Sequence, residues 1–231
     1  MPRHARLALD GVSVHLIQRG VDRGACFFCD DDRRHYLAVL ASAAKEHGCA
    51  LHAYVLMANH VHLLVTPTSG PALGRMMKQL NERYVQAVNR QYQRSGPLWD
   101  GRFRSCLVDS EAYLMACYRY IELNPVRAGI AVHASAYRWS SHRANATGAP
   151  DRPLTPHAIY LALGTDVASR ARAYRALVEE VLESSEVDAI RTATRGGHAL
   201  GSPGFQGQIS AMLGRRVAPG RRGRPRRIPV A

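Results

Sequence analysis

ALHAYVLMANHVHLLVT, residues 50–66, reads as two apolar strands separated only by Ala58 and Asn59. Each run is rich in β-branched and aliphatic residues and short enough for a strand rather than a helix. Working outward, SVHLIQ (13–18) is a third strand, and a helix is predicted over 31–47 between it and the pair. Downstream, a Gly-Pro turn leads into a long helix over 73–94, and RFRSCLVD (102–109) is a fourth strand. A further helix opens at Ser110, with an acid in its first turn, and Pro125 ends or kinks it. Four strands with helices between them predict an α+β sandwich, an antiparallel-rich sheet with helices packed on one face.

The chain has 231 residues, room for one main domain and an appendage. Hydrophobic residues make up 46% and charged residues 21%, which argues against a disordered or fibrous chain. The first twenty residues carry no apolar signal core, and no uncharged apolar run reaches the ~18 residues of a membrane span. Five cysteines, an odd number, fit reduced thiols, and the expected location is cytoplasmic and nucleoid-associated. Cys26 and Cys29 form a CxxC with no second pair at zinc spacing, so they read as buried small residues.

Charge narrows the partner. Lys and Arg number 31 against 18 Asp and Glu, a net of +13 that points to a polyanion. All but Lys45 and Lys78 of these cations are Arg, whose planar fork suits phosphate and guanine. The distribution is uneven: residues 191–231 hold nine Arg and no acid. The predicted organisation is a domain over 1–146, a Gly- and Pro-rich linker over 147–164, a helical region over 165–214 and a basic tail over 215–231. Helical spacing is clearest from Thr165 to Ser185, with a second short helix around Phe205, Ile209 and Leu213.

Two local patterns carry chemistry. In NHVHLLV, strand alternation turns His60 and His62 to one face and Val61 to the other, within reach of one cation. The competing reading is two polar residues on a solvated face, although LLV marks a central strand, where idle histidines are costly. In YRYIELNPVRAG, Tyr120 and Asn124 are four apart on a helix and share a face; Tyr is a possible nucleophile and Asn a neutral oxygen ligand. Tyr84, Tyr92, Tyr113 and Tyr118 lie in or near the same two helices, so spacing alone does not single out Tyr120.

Together, NHVHLLV, LWDGRFRSCLVDSEAYL and YRYIELNPVRAGI resemble the single-tyrosine HUH transposases, most closely the REP-associated tyrosine transposases. The resemblance spans roughly residues 10–145. It implies a ferredoxin-like, RRM-like palm with Tyr120 as nucleophile and His60, His62 and Asn124 as ligands of Mg²⁺ or Mn²⁺. The implied activity is cleavage and rejoining of single-stranded DNA at REP-type hairpins through a 5′-phosphotyrosine, by a monomer or homodimer. The chemistry is consistent, because a phenol attacking an anionic phosphodiester benefits from a divalent cation on the phosphoryl oxygens.

DNA contacts are expected at Arg19 and Arg23 after the first strand, and at Arg102 and Arg104 beside Trp99 and Phe103. For those two aromatics, core packing is the rival fate. RRGRPRR, with Arg221, Arg222, Arg224, Arg226 and Arg227, resembles an AT-hook or serves as a general electrostatic tail. The alternative function is a non-catalytic nucleic-acid-binding regulator with the same fold, which would tolerate loss of His60, His62 or Tyr120.

Overall fold

The strands of residues 50–66 become β2 (Cys49–Met57) and β3 (His60–Pro67), antiparallel with Leu56 opposite Val61 and Met57 opposite His60. β1 (Val14–Arg19) lies on the other side of β3, and β4 (Arg104–Val108) on the other side of β1, both antiparallel. α1 (Asp30–Glu46) links β1 to β2, and α2 (Gly70–Gln91) links β3 to β4. This computed structural model describes residues 6–219. The order β2-β3-β1-β4 with two crossing helices is an α+β arrangement, as the sequence pattern predicts, and the ferredoxin-like one that the resemblance implies.

Both linking helices show why they start where they do. Asp30, Asp31 and Asp32 fill the first turn of α1, where the helix dipole favours negative charge. The Asp32 carboxylate also accepts the backbone N–H groups of Phe28 (2.7 Å) and Cys29 (3.1 Å). α2 begins three residues ahead of the predicted start, because Pro71 stands in its first turn, where a missing N–H costs nothing.

Three sequence expectations require correction. Helices cover both faces of the sheet. α1 and α2 pack on one, while α3 (Ser110–Glu122) and α8 (Ser184–Gly196) pack on the other. The residues expected to be a linker, 147–164, are packed: Leu154 bridges to Leu51, and Tyr160, in the short α6 (Ala158–Leu161), is buried against Tyr118 and Tyr174. The predicted 165–185 helix stops at Glu179 as α7 (Val167–Glu179). The chain then forms α8 and a two-residue strand, β5 (Ala199–Leu200), which adds a fifth, parallel strand beside β4. Residues 147–200 therefore complete the sheet and roof its second face rather than standing apart. α9 (Pro203–Leu213) realises the second C-terminal helix.

The roof is tied down by one carboxylate. Glu122, at the end of α3 and fully buried, accepts from Ser141 Oγ (2.6 Å), Asn145 Nδ2 (2.7 Å), His142 Nδ1 (3.1 Å) and Tyr174 Oη (2.7 Å). His142 and Asn145 belong to α5 (His142–Thr147) and Tyr174 to α7, so a single acid joins three helices. A buried carboxylate is tolerable only when its lone pairs are met in this way. Among the described residues no helix is long and apolar enough to cross a membrane.

Candidate active site

β3 sends Val61, Leu63 and Val65 into the α1/α2 core and turns His60 and His62 to the α3 side, as strand alternation requires. His62 is 2% exposed, and its ring lies 5.1 Å from that of His60, centroid to centroid, at 80°. The solvated-strand reading of this pair therefore fails for His62.

α3 brings the phenol. The Tyr120 ring sits 5.6 Å from His62, edge-on at 82°, and is 6% exposed. α3 closes at Glu122 and α4 (Asn124–Arg127) begins two residues later, with Pro125 in its first turn, so Pro125 kinks the path instead of ending it. Leu123 stays near helical geometry (φ −83°, ψ 1°), which keeps Asn124 on the face of Tyr120. The Asn124 amide nitrogen lies 3.2 Å from His62 Nε2. The rival tyrosines are otherwise engaged: Tyr84 donates to the Cys26 carbonyl, Tyr92 to Asp32, and Tyr118 is buried against Tyr160 and Tyr174. Tyr113 packs at the border of the second core.

Both imidazoles are held neutral. Burial, then repulsion from Arg19, lowers the His60 pKa to about 4, against the raising effect of a hydrogen bond to Asn124. Burial, followed by the neighbouring His15 and His60, lowers that of His62 well below the usual histidine value. Asn59 orients His60. Its amide nitrogen donates to the Arg23 carbonyl (3.1 Å), so its oxygen faces His60 Nδ1 at 2.6 Å and that nitrogen carries the proton. His60 Nε2 is left as the lone-pair nitrogen, on the side of Asn124.

Two neutral imidazoles and one amide form a neutral donor set that can hold a divalent cation and leave positions open on it, and a half-turn of the Asn124 amide would present the oxygen such a cation prefers in place of nitrogen. Among the described residues no three His, Cys, Asp or Glu side chains group as a metal site, so the amide would have to supply the third protein ligand.

Four residues near this centre were not singled out from sequence: Asn59, His15, Arg127 and Thr194. His15, on β1, lies edge to edge with His62, its Nε2 2.9 Å from His62 Nδ1, centroids 5.1 Å apart and rings 8° from parallel. Burial, then Arg127, lowers its pKa to about 3. Its signal was present, since His15 alternates onto the same face of a central strand. The Arg127 guanidinium lies 4.2 Å above the Tyr120 ring and donates to the Tyr120 carbonyl at 2.6 Å. Its place three residues after Asn124 was the available hint. Thr194, in α8, carries no such signal.

Of the arginines expected to meet DNA, Arg19 is exposed opposite His60 in the β1–β3 register, and Arg104 is exposed opposite Ile17, so both flank the imidazoles. Arg23 and Arg102 are exposed in the neighbouring loops. Gly20 lets the first of these loops fold tightly, because a Cβ there would lie 2.2 Å from the Gly24 carbonyl oxygen. Trp99 and Phe103 are buried, so core packing is their fate. Arg221, Arg222, Arg224, Arg226 and Arg227 lie outside the described residues. Of the CxxC, Cys26 is buried as expected and its thiol is pushed up to about 12, chiefly by desolvation, whereas Cys29 is only half-buried, its Sγ 3.4 Å from Tyr92 Oη.

Fold and site together define a class, an α+β protein with a histidine, amide and tyrosine centre on one face of a ferredoxin-like sheet. Residues 8–124, half of the chain, match the family described as "Transposase IS200 like". The chain belongs to this IS200-like transposase family, and its role is that of a transposase acting on DNA. A search of curated proteins returns no match. Among solved structures, the chain is similar to a REP-associated tyrosine transposase bound to a REP hairpin, at 17% identity. That match covers 68% of this chain and 93% of the other at a TM-score of 0.54, a likeness of fold. A transposase described as putative, from Deinococcus radiodurans R1, matches at 19% identity, 56% and 98% coverage and a TM-score of 0.37.

Proposed function

We propose that this transposase cleaves and rejoins single-stranded DNA at REP-type hairpins through a 5′-phosphotyrosine on Tyr120. The observation that carries the reading is the convergence of Tyr120, His62 and Asn124: the phenol ring is 5.6 Å from the imidazole and the amide 3.2 Å from its Nε2. A divalent ion held by His60, His62 and Asn124, Mg²⁺ or Mn²⁺, would neutralise charge on the phosphoryl oxygens. Tyr120 supplies the nucleophile. Its oxygen bonds to phosphorus while the bond to the 3′ oxygen breaks; the phenolic proton leaves to solvent and the 3′ oxygen takes one up. Because the phosphotyrosine conserves the ester bond, a second 3′-OH reverses the step at a new junction without ATP. Arg127, stacked on the phenol, favours the negative charge that develops there.

Arg19 and Arg104 flank the imidazoles where the strand phosphates would run, with Arg23 and Arg102 extending that surface. The hairpin preference rests on similarity to the REP-associated enzyme. Nucleoid association follows from the substrate and the +13 charge.

The test incubates labelled single-stranded hairpin DNA with the protein and Mg²⁺, Mn²⁺ or a chelator, then runs a denaturing gel. A protein–DNA adduct that needs the metal and is absent in Tyr120→Phe and His62→Ala is the expected result. Hairpin binding with no adduct under either metal would instead assign the non-catalytic regulator.

A further inference from the structure

The family match ends at residue 124, yet a residue seventy positions later reaches the centre. Thr194 sits in α8, the helix that roofs the second face of the sheet, and it is buried. Its hydroxyl donates to the Ile190 carbonyl at 2.7 Å, which uses the only proton it has. Toward His15 Nδ1, 2.9 Å away, Thr194 must therefore accept, so His15 Nδ1 bears hydrogen. His15 and His62 are both at most 2% exposed and lie nearly coplanar, edge to edge, a buried setting that excludes a charged pair. A neutral His15 protonated at Nδ1 has a bare Nε2, and that atom lies 2.9 Å from His62 Nδ1. The hydrogen in this contact consequently belongs to His62 Nδ1. With its one proton there, His62 leaves Nε2 bare and aimed at Asn124.

The direction of every bond in this chain is set by its last member, a backbone carbonyl, which can only accept. We infer that Thr194 and His15 are positioning residues that lock His62 in the Nδ1–H tautomer, the one neutral form whose Nε2 can bind a cation. The assignment rests on the proposed role of His62 as a ligand. It also makes the C-terminal region a working part of the centre rather than an appendage. Metal-binding histidines commonly depend on a partner for the other ring nitrogen, and losing that partner weakens metal binding about 10- to 100-fold.

The experiment uses the full chain labelled with ¹⁵N in its imidazoles. Long-range ¹H–¹⁵N spectra of the metal-free protein distinguish protonated from bare ring nitrogens, and Mn²⁺ titration gives affinity. In the unmodified protein, His62 and His15 should both be protonated at Nδ1. Thr194→Val removes the acceptor, so His15 moves its proton to Nε2 and donates to His62 Nδ1, which drives the His62 proton onto Nε2. The expected readout is a reversed His62 tautomer and Mn²⁺ binding weaker by about 10- to 100-fold. Thr194→Ser keeps the hydroxyl and should restore both, which separates the relay from a packing effect.

A His62 protonated at Nε2 in the unmodified protein overturns the inference. So does a Thr194→Val protein with unchanged tautomer and affinity while His62→Ala loses Mn²⁺, and in that case the ligand reading stands. If the Nδ1–H tautomer is found but Mn²⁺ binds His62→Ala equally well, the ligand reading falls, and the role given to the relay falls with it.

Discussion

The two faces of the sheet use the same strands for different ends. Toward α1 and α2, the strands present Val14, Leu16, Val61, Leu63, Val65 and Leu107, all buried and all apolar. Toward α3 and α8, the intervening positions present His15, His60, His62 and Cys106, with Glu122 buried in the helix above. Successive side chains of a strand point to opposite faces, so consecutive residues of β3 serve the two faces alternately. The first face is built mainly from apolar area, with Gln18 and Ser105 among its buried polar side chains; the second buries histidines and a carboxylate that depend on hydrogen-bond partners. Register is correspondingly strict, since a slip of one residue would turn the histidines into the apolar α1/α2 core and send the aliphatic side chains among the polar groups under α3 and α8.

The comparison is broken most severely at Tyr120. Tyr120→Phe should reduce the covalent DNA adduct below detection on a denaturing gel while leaving the denaturant midpoint almost unchanged, because the ring still fills its place. Glu122→Ala comes next. It strands the donors of Ser141, Asn145, His142 and Tyr174, and should cost about 3–5 kcal/mol in urea unfolding. Glu122→Gln, which keeps an acceptor, should cost less.

On the apolar face, Leu63→Ala should destabilise by about 2–5 kcal/mol through the lost methyl groups and the cavity they leave. The adduct formed per folded molecule should stay at the level of the parent, and a loss of chemistry in step with stability would show that the two faces are not independent. The smallest effect concerns pH. His52, away from the tyrosine, hydrogen-bonds the Thr155 carbonyl and Thr66, and burial lowers its pKa to about 4 from an unfolded value of 6.5. The unfolded chain therefore binds the proton first. His52 costs nothing above pH 6.5 and removes stability as pH falls toward 4, by at most about 1.4 kcal/mol per pH unit. His52→Gln should flatten the dependence of unfolding free energy on pH between 7 and 5.

A bulge explains how His52 came to lie on the polar face. The β2–β3 register shifts between Leu51 and Ala53, so His52 and Ala53 both turn to the second face and Leu51 returns to the α1/α2 core. Nothing in ALHAYVLM announces that extra residue. The four main strands, the two linking helices and the facing of His60 and His62 were legible, because each follows from local periodicity. The Tyr120–Asn124 pair was legible as a pair at helical spacing, but its choice over four other tyrosines was not. Trp99 and Phe103 looked equally suited to bases and to the core.

From its sequence alone, this chain determined an α+β sheet, a polyanionic partner and a histidine pair turned to one side of a central strand. Those depend on side-chain period and net charge, which are properties of neighbouring residues. Only the tertiary structure decided that both faces are roofed, that residues 147–200 complete the sheet, and that Thr194, through His15, meets His62. The reason is physical: the state of a buried polar atom is set by whatever lies within hydrogen-bond distance, and here the partners come from positions 47 and 179 residues apart in the chain.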